Sequence, residues 1–356
     1  MRIGIVAPPW FELPPRGYGG IEWMCHWLTE ALVARGHDVT LVGAGRSSSS
    51  ARFYSTSREP PTARLGEAFP EVVHVAAAAA ILEERDVEVV HDHTLSGPLL
   101  SFGRPVPTVV TAHGPVTADA RAYYHRLGRR ISLVAISDAQ RRGTPDLPWV
   151  GTVYNGIPVR EYPFSNSKED FVLFLGRMSP EKGIPLAIDA AQAAGLPIVL
   201  AAKCNEPAEH AYFASEVRPK LGPGVIWIGE ANTATKKALL ERARCLLFPI
   251  QWQEPFGIVM VEAMACGTPV VALPGGSVSE VVLDGVTGFI CPEPEQLPAA
   301  IRKAELIDPK ACRERAVHHF DVERMAEGYE TVYSESVLSH PSMELTPGRL
   351  RDGGGG

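Results

Sequence analysis

The sequence predicts two α/β domains built on parallel sheets and facing each other across a cleft. Short β-branched runs alternate with amphipathic helical stretches along the chain. That alternation breaks once, in the polar stretch VYNGIPVREYPFSNSKED, and starts afresh at FVLFLG. The length of 356 residues accommodates two domains of ordinary size. Residues 1–160 read as one Rossmann-like domain, 165–318 as a second and 319–338 as a closing helix. The Gly-rich tail at 341–356 is expected to be disordered.

RIGIVA opens the chain as a buried strand. A Gly/Pro loop leads to a helix over Ile21–Ala34, ended by Gly36, and DVTLVG is the second strand. RSSSSARF carries no helix signature and reads as a loop, while the alanines at 76–80 belong to a well-packed helix. VEVVH, TVVTAH and ISLVAIS follow as strands, each delivering a polar residue at its C-terminal end. In the second series FVLFLG, PIVLAA, VIWIG, CLLFP and PVVAL are strands with helices between them. VERMAEGYETVYSESVL is one long final helix.

Composition excludes several classes. A formal net charge of -7 gives no global drive toward nucleic acid. The six cysteines are scattered without a CxxC pair, as expected of reduced thiols in a cytoplasmic protein. MRIGIVA is strand-like and runs directly into PPW, so no leader peptide is expected. VVHVAAAAAIL is too short to span a bilayer.

In open parallel sheets ligands bind beyond the carboxyl ends of the strands, so the candidate chemistry lies just after each strand. After the first strand, PPRGYGGIE places Gly19 and Gly20 before a helix N-terminus, where backbone approaches an anion closely. The spacing is not GxGxxG, which disfavours a dinucleotide oxidoreductase. HDHT and TAHGP put His91, His93 and His113 at two strand ends. Such histidines are either structural or functional, and the Gly114–Pro115 turn aims His113 toward the cleft. FLGRMSPEKG presents Arg177 and Lys182 around a Ser-Pro turn, read as a diphosphate clamp or as two solvated cations. As a clamp, each charge-assisted bond contributes about 1.5–3 kcal/mol.

QWQEPFGIVMVEAMACGTPVVA sets two carboxylates around a helix start, with Pro255 expected in the first helical turn. Backbone N–H groups over Phe256, Gly257, Ile258 and Val259 favour phosphate. Glu254 would accept hydrogen bonds from hydroxyls beyond it, and Glu262 would bind a ribose diol. Together these elements describe a site for a sugar carried on a nucleoside diphosphate. Trp10, Tyr18, Glu22 and the stretch RAYYHRLGRR, with Tyr123, Tyr124 and Arg126, are candidates for a second substrate. That arginine-rich stretch suits phosphate or a membrane surface, but a solvated helix face is the favoured reading and membrane association is not expected.

GGIE, TAHGP, VYNGIP, FLGRMSPEKG and EPFGIVMVEAMACGTPVVA, in this order, resemble the family-4 retaining glycosyltransferases of GT-B fold, over residues 1 to about 338. The resemblance implies a donor domain at 165–318 and an acceptor-side domain at 1–160. It implies that Glu254 contacts the donor sugar and Glu262 the ribose, with Arg177, Lys182, Gly19, Gly20 and the amides of residues 256–259 on the diphosphate. His113 would lie near the donor sugar; Glu230, which follows the strand VIWIG, is by its position a candidate neighbour of the base. It also implies retention without a metal or other cofactor, by front-face attack. No Asp-x-Asp pair occurs, in agreement. The expected donor is UDP-glucose or GDP-mannose, and the acceptor a carbohydrate, lipid or small-molecule hydroxyl. A sugar-nucleotide 2-epimerase and a non-catalytic nucleotide-sugar-binding protein stand as the alternatives.

Overall fold

Apolar runs buried on both faces organise the chain into two parallel sheets, seen in a computed structural model that describes residues 1–340. The tail at 341–356 lies outside the described residues. The first half contains, in order, β1 (Arg2–Val6), α1 (Gly20–Ala34), β2 (Asp38–Gly43), β3 (Arg52–Ser55), α2 (Ala68–Glu83), β4 (Val89–Asp92), β5 (Thr108–Ala112), α3 (Ala118–Leu127), β6 (Ile131–Ala135), α4 (Asp138–Gly143) and β7 (Trp149–Thr152). Its seven strands lie in the order β3-β2-β1-β4-β5-β6-β7, all neighbours parallel.

The second half contains β8 (Glu169–Arg177), α5 (Ile184–Ala194), β9 (Ile198–Lys203), α6 (Pro207–Tyr212), β10 (Val225–Trp227), α7 (Thr233–Arg242), β11 (Ala243–Phe248), α8 (Ile258–Ala265), β12 (Val270–Ala272), α9 (Val278–Val281), β13 (Gly288–Ile290), α10 (Leu297–Lys303), α11 (Pro309–Phe320) and α12 (Val322–Ser339). Its six strands run β10-β9-β8-β11-β12-β13, again parallel.

RSSSSARF is not all loop, because β3 begins at Arg52. As an edge strand it leaves every side chain exposed or half-buried, so no apolar alternation marks it, and its backbone pairing with β2 alone makes it a strand. The closing helix α12 starts at Val322 and packs on the first domain. Met325, Ala326, Tyr329, Val332 and Tyr333 share one core with Ile3, Ile5, Leu28, Leu32 and Val109. The first domain therefore includes the end of the described chain, which returns to it beside the outgoing linker. Ile157 N–H donates to the Phe320 carbonyl at 2.9 Å, and Val322 N–H donates to the Ile157 carbonyl at 2.9 Å.

Strand order reverses direction between β1 and β4 in one sheet and between β8 and β11 in the other. Those reversals open a crevice at the carboxyl ends of the strands. The loop after β1, the end of β8 and the turn after β11 all meet there.

Candidate functional site

The two crevices join into one cavity of about 240 Å³ between the domains. The first domain contributes Gly17, Tyr18, Gly19, Gly20, Trp23 and Trp27, and the second contributes Arg177, Lys182, Lys203, Glu230, Lys236, Glu254, Gly257, Ile258, Val259 and Glu262. Sequence neighbours thus enter one wall for local reasons. Arg177 ends β8, and Lys182 closes the short 3-10 turn before α5. Ile258 and Val259 open α8, whose first amides have no intrahelical partner.

Pro255 is not in the first helical turn as expected, because α8 starts only at Ile258 with Gly257 at its N-cap. Gly257 has φ 71°, a left-handed conformation that a side chain resists, and a Cβ there would meet the Met260 methyl at 2.7 Å. Phe256 turns away from the cavity into the core, 2% exposed, between Tyr154 and Phe320.

Every charged group of the wall is engaged. The Lys182 ammonium donates to Glu254 Oε2 at 2.6 Å, both largely buried, and Trp252 Nε1–H donates to the same oxygen at 2.9 Å. Arg177 donates to Glu181 Oε1 at 2.8 Å, a carboxylate also held by the Ser179 hydroxyl at 2.7 Å. Glu262 accepts from Lys236 and, at 2.8 Å, from the Tyr162 hydroxyl, both through Oε1. Its Oε2 is buried with no hydrogen-bond partner among the described residues. An unsatisfied buried acceptor costs about 1–3 kcal/mol, which a ligand hydroxyl would recover. Glu230 accepts from the Tyr18 backbone N–H at 2.6 Å and from Asn205 Nδ2 at 3.3 Å, so it holds the glycine loop against the second domain.

His113 does not line this cavity. Its Nε2 faces His93 Nδ1 at 2.8 Å, and burial holds its imidazole down to about 4, neutral at ordinary pH. Burial also lowers His93 and His91, and the neighbouring imidazoles add to the effect. His91 is structural, bonded to the Tyr333 hydroxyl at 2.7 Å and to Thr111 at 2.8 Å. Directly after His113, Pro115 and Val116 line a second recess of about 360 Å³ with Gln140, Thr144, Gln253, Glu254 and Pro255. Glu254 borders both spaces.

Of the second-substrate candidates, only Tyr18 reaches the cavity. The backbone carbonyl of Trp10 accepts from the Thr62 hydroxyl, and Glu22 is buried without lining either space. Tyr124 belongs to the core with Leu127 and Leu133, Tyr123 donates to the Leu95 carbonyl, and Arg126 is exposed. Sequence reasoning missed Lys236, Tyr162, Lys203, Trp23, Trp27 and Trp252. The Asn232 cap, which accepts from Thr235 N–H at 2.9 Å, carried a usable signal, since it sets α7 and hence Lys236.

Residues 18–161 match the family described as Glycosyltransferase Family 4, and residues 159–317 match Glycosyl transferases group 1. A phosphatidyl-myo-inositol mannosyltransferase of Mycobacterium leprae (strain TN) is 27% identical, the match covering 97% of this chain and 100% of the relative. The crystal structure of AviGT4, a glycosyltransferase involved in avilamycin A biosynthesis, superposes with a TM-score of 0.74 at 25% identity, covering 96% of this chain and 99% of that one. Anabaena HepE, solved with UDP-glucose, superposes at 0.72 with 19% identity, covering 94% and 100%.

Proposed function

The chain belongs to the family-4 glycosyltransferases of GT-B fold, and on that premise we propose that it moves a hexose from a nucleoside-diphosphate sugar to an acceptor hydroxyl with retention of configuration. The observation that carries this reading is Glu262, 1% exposed in the cavity wall with one carboxylate oxygen unpartnered among the described residues. It has the position and the free acceptor that a ribose diol requires. Arg177 and Lys182 supply the charge for a diphosphate, so no metal ion is needed in this scheme. UDP-glucose and GDP-mannose are the donors to test, supported by the sugar nucleotide bound to HepE and by the name of the mycobacterial relative. The six buried free cysteines support a cytoplasmic setting.

On binding, Lys182 exchanges Glu254 for the diphosphate, and Glu254 turns to the sugar hydroxyls. The amides opening α1 and α8 face the phosphates. An acceptor hydroxyl entering from the recess beside Pro115 and Val116 then attacks the anomeric carbon on the face that the diphosphate leaves. The bond from that carbon to the phosphate oxygen breaks, and the hydroxyl proton passes to the departing oxygen. Arg177 and Lys182 stabilise the charge that develops there.

Thermal unfolding in EDTA against UDP-, GDP- and ADP-sugars tests the donor. A ligand at a hundred times its Kd stabilises the fold by about 2.7 kcal/mol, so one base should raise Tm selectively. Analysis of the product with an acceptor should then show the donor's anomeric configuration retained. An inverted product, or an altered sugar nucleotide released without acceptor, would replace this reading.

A further inference from the structure

Glu254 borders both the cavity and the recess beside Pro115, and a residue that lines neither space holds it there. Trp252 is half-buried against the core of the second domain. It lines a separate recess of about 320 Å³ with Leu273, Pro274 and Pro292. Its Nε1–H donates to Glu254 Oε2 at 2.9 Å, the same oxygen that takes the Lys182 ammonium at 2.6 Å. Lys182 Nζ also lies 4.9 Å from the centre of the Trp252 ring, so lysine, indole and carboxylate form one closed group. Because both donors take Oε2, Oε1 is the oxygen left to a ligand. The loop that carries the indole is itself fastened on both sides. Gln251 N–H donates to the carbonyl of Glu181, in the turn that ends with Lys182, at 2.8 Å. Gly276 N–H donates to Gln253 Oε1 at 2.8 Å, and a Cβ on Gly275 would stand 2.6 Å from the Trp252 carbonyl oxygen.

We propose that Trp252 is the positioning residue of Glu254, a role that rests on the function proposed above. Its indole N–H keeps Oε2 when Lys182 leaves for the diphosphate, and so presents Oε1 to the donor sugar. The two donors on Oε2 respond differently to a diphosphate. The ammonium is drawn to the incoming negative charge, whereas the uncharged indole, outside the cavity wall, has no phosphate to meet. Glu254 is 8% exposed, and a buried carboxylate that loses its cation needs a fixed donor to stay where it is. Without the indole N–H the carboxylate would follow Lys182 and remain paired with it, turned from the sugar. The N–H therefore controls the direction of the acid and leaves the affinity for the diphosphate to Arg177 and Lys182.

Two ring substitutions in the full chain separate this role from simple packing. W252F keeps an aromatic ring beside Lys182 and removes the N–H, while W252H can set its Nε2–H where the indole N–H stands. Turnover is read as release of UDP from UDP-glucose or GDP from GDP-mannose. W252F is expected to lower kcat about 10- to 100-fold, the worth of a hydrogen bond to a charged group. Its Kd for free UDP or GDP should match the parent's, and W252H should recover most of the lost rate. A second readout needs no turnover. In ¹H–¹⁵N spectra assigned with W252F, the Trp252 indole proton should lie downfield and exchange slowly, both in the free protein and with UDP or GDP bound, and E254Q should move it upfield. Parent-like turnover in W252F, or W252H no faster than W252F, would overturn the proposal. So would an indole signal that ignores E254Q or loses its protection when the diphosphate binds. A loss of UDP or GDP affinity as large as the loss of rate would mean that the ring only packs against Lys182, and would overturn it too. If the parent releases neither nucleotide, the proposed function fails instead, and the free-protein indole signal with its response to E254Q still decides whether Trp252 holds Glu254.

Discussion

Glu22 shows how strongly a single buried acid can set the molecule's response to pH. It lies in the first turn of α1, 3% exposed, and burial lifts its carboxyl to about 8. The folded state therefore holds a proton that the unfolded chain releases near 4.5. The stability it contributes is complete below 4.5 and is lost as pH rises toward 8. Against that, E22Q should gain about 1.4 kcal/mol relative to the parent per pH unit through this window, and parallel urea-melt curves for the two would contradict the assignment. His113 and His74, each held down to about 4 by burial, act with the opposite sign. Their contribution is intact above 6.5 and is lost as pH falls toward 4, where the unfolded chain takes up protons first. At this scale the sequence was legible where motif and chemistry coincide, as at Arg177, Lys182, Glu254 and Glu262. It was silent on Tyr162, and it placed Lys236 on α7 without showing its partner, because Glu262 lies 100 and 26 residues away and only folding brings the three together.

Among the elements, the entry to α8 carries most of the site, and a neighbouring turn holds it in shape. Gly276 has φ 55°, and a Cβ there would sit 2.0 Å from the Glu254 carbonyl oxygen, whose partner is the Ser277 N–H at 3.0 Å. G276A cannot keep both, so it should destabilise the fold by about 3 kcal/mol or more and cut turnover at least tenfold, as read by urea melts and initial rates. A variant with parent-like stability and rate would show that the turn does not position Glu254. Interior strands such as β1 and β5 were legible because burial on both faces demands continuous apolar runs. The edge strands β3 and β7 were not, since their half-exposed residues carry no such pattern and their pairing is a property of the neighbour. Helix α12 was legible as a helix. Its return to the first domain was not, because the tyrosines that dock it there pack against residues from the other end of the chain.

At the scale of the whole molecule, two carboxylates of the second domain tie the cleft at separate points. Glu230 holds the Tyr18 amide, and Glu280 accepts the backbone N–H groups of Asp138 at 2.8 Å and Ala139 at 2.6 Å together with Arg142 at 3.1 Å. E280A leaves those donors without their acceptor, so exchange of the two amides should rise about tenfold or more. Unchanged exchange would mean that the contact contributes nothing to closure. Under the proposed function one cavity binds the sugar through Glu254 and the diphosphate through Lys182, two groups now joined at 2.6 Å. Calorimetric titration of the parent, E254A and K182A with UDP-glucose and UDP, or with GDP-mannose and GDP, tests it most directly. E254A is expected to weaken the sugar nucleotide while leaving the free diphosphate unaffected, and K182A to weaken both. Equal losses for both ligands in E254A, or an unchanged diphosphate affinity in K182A, would contradict it.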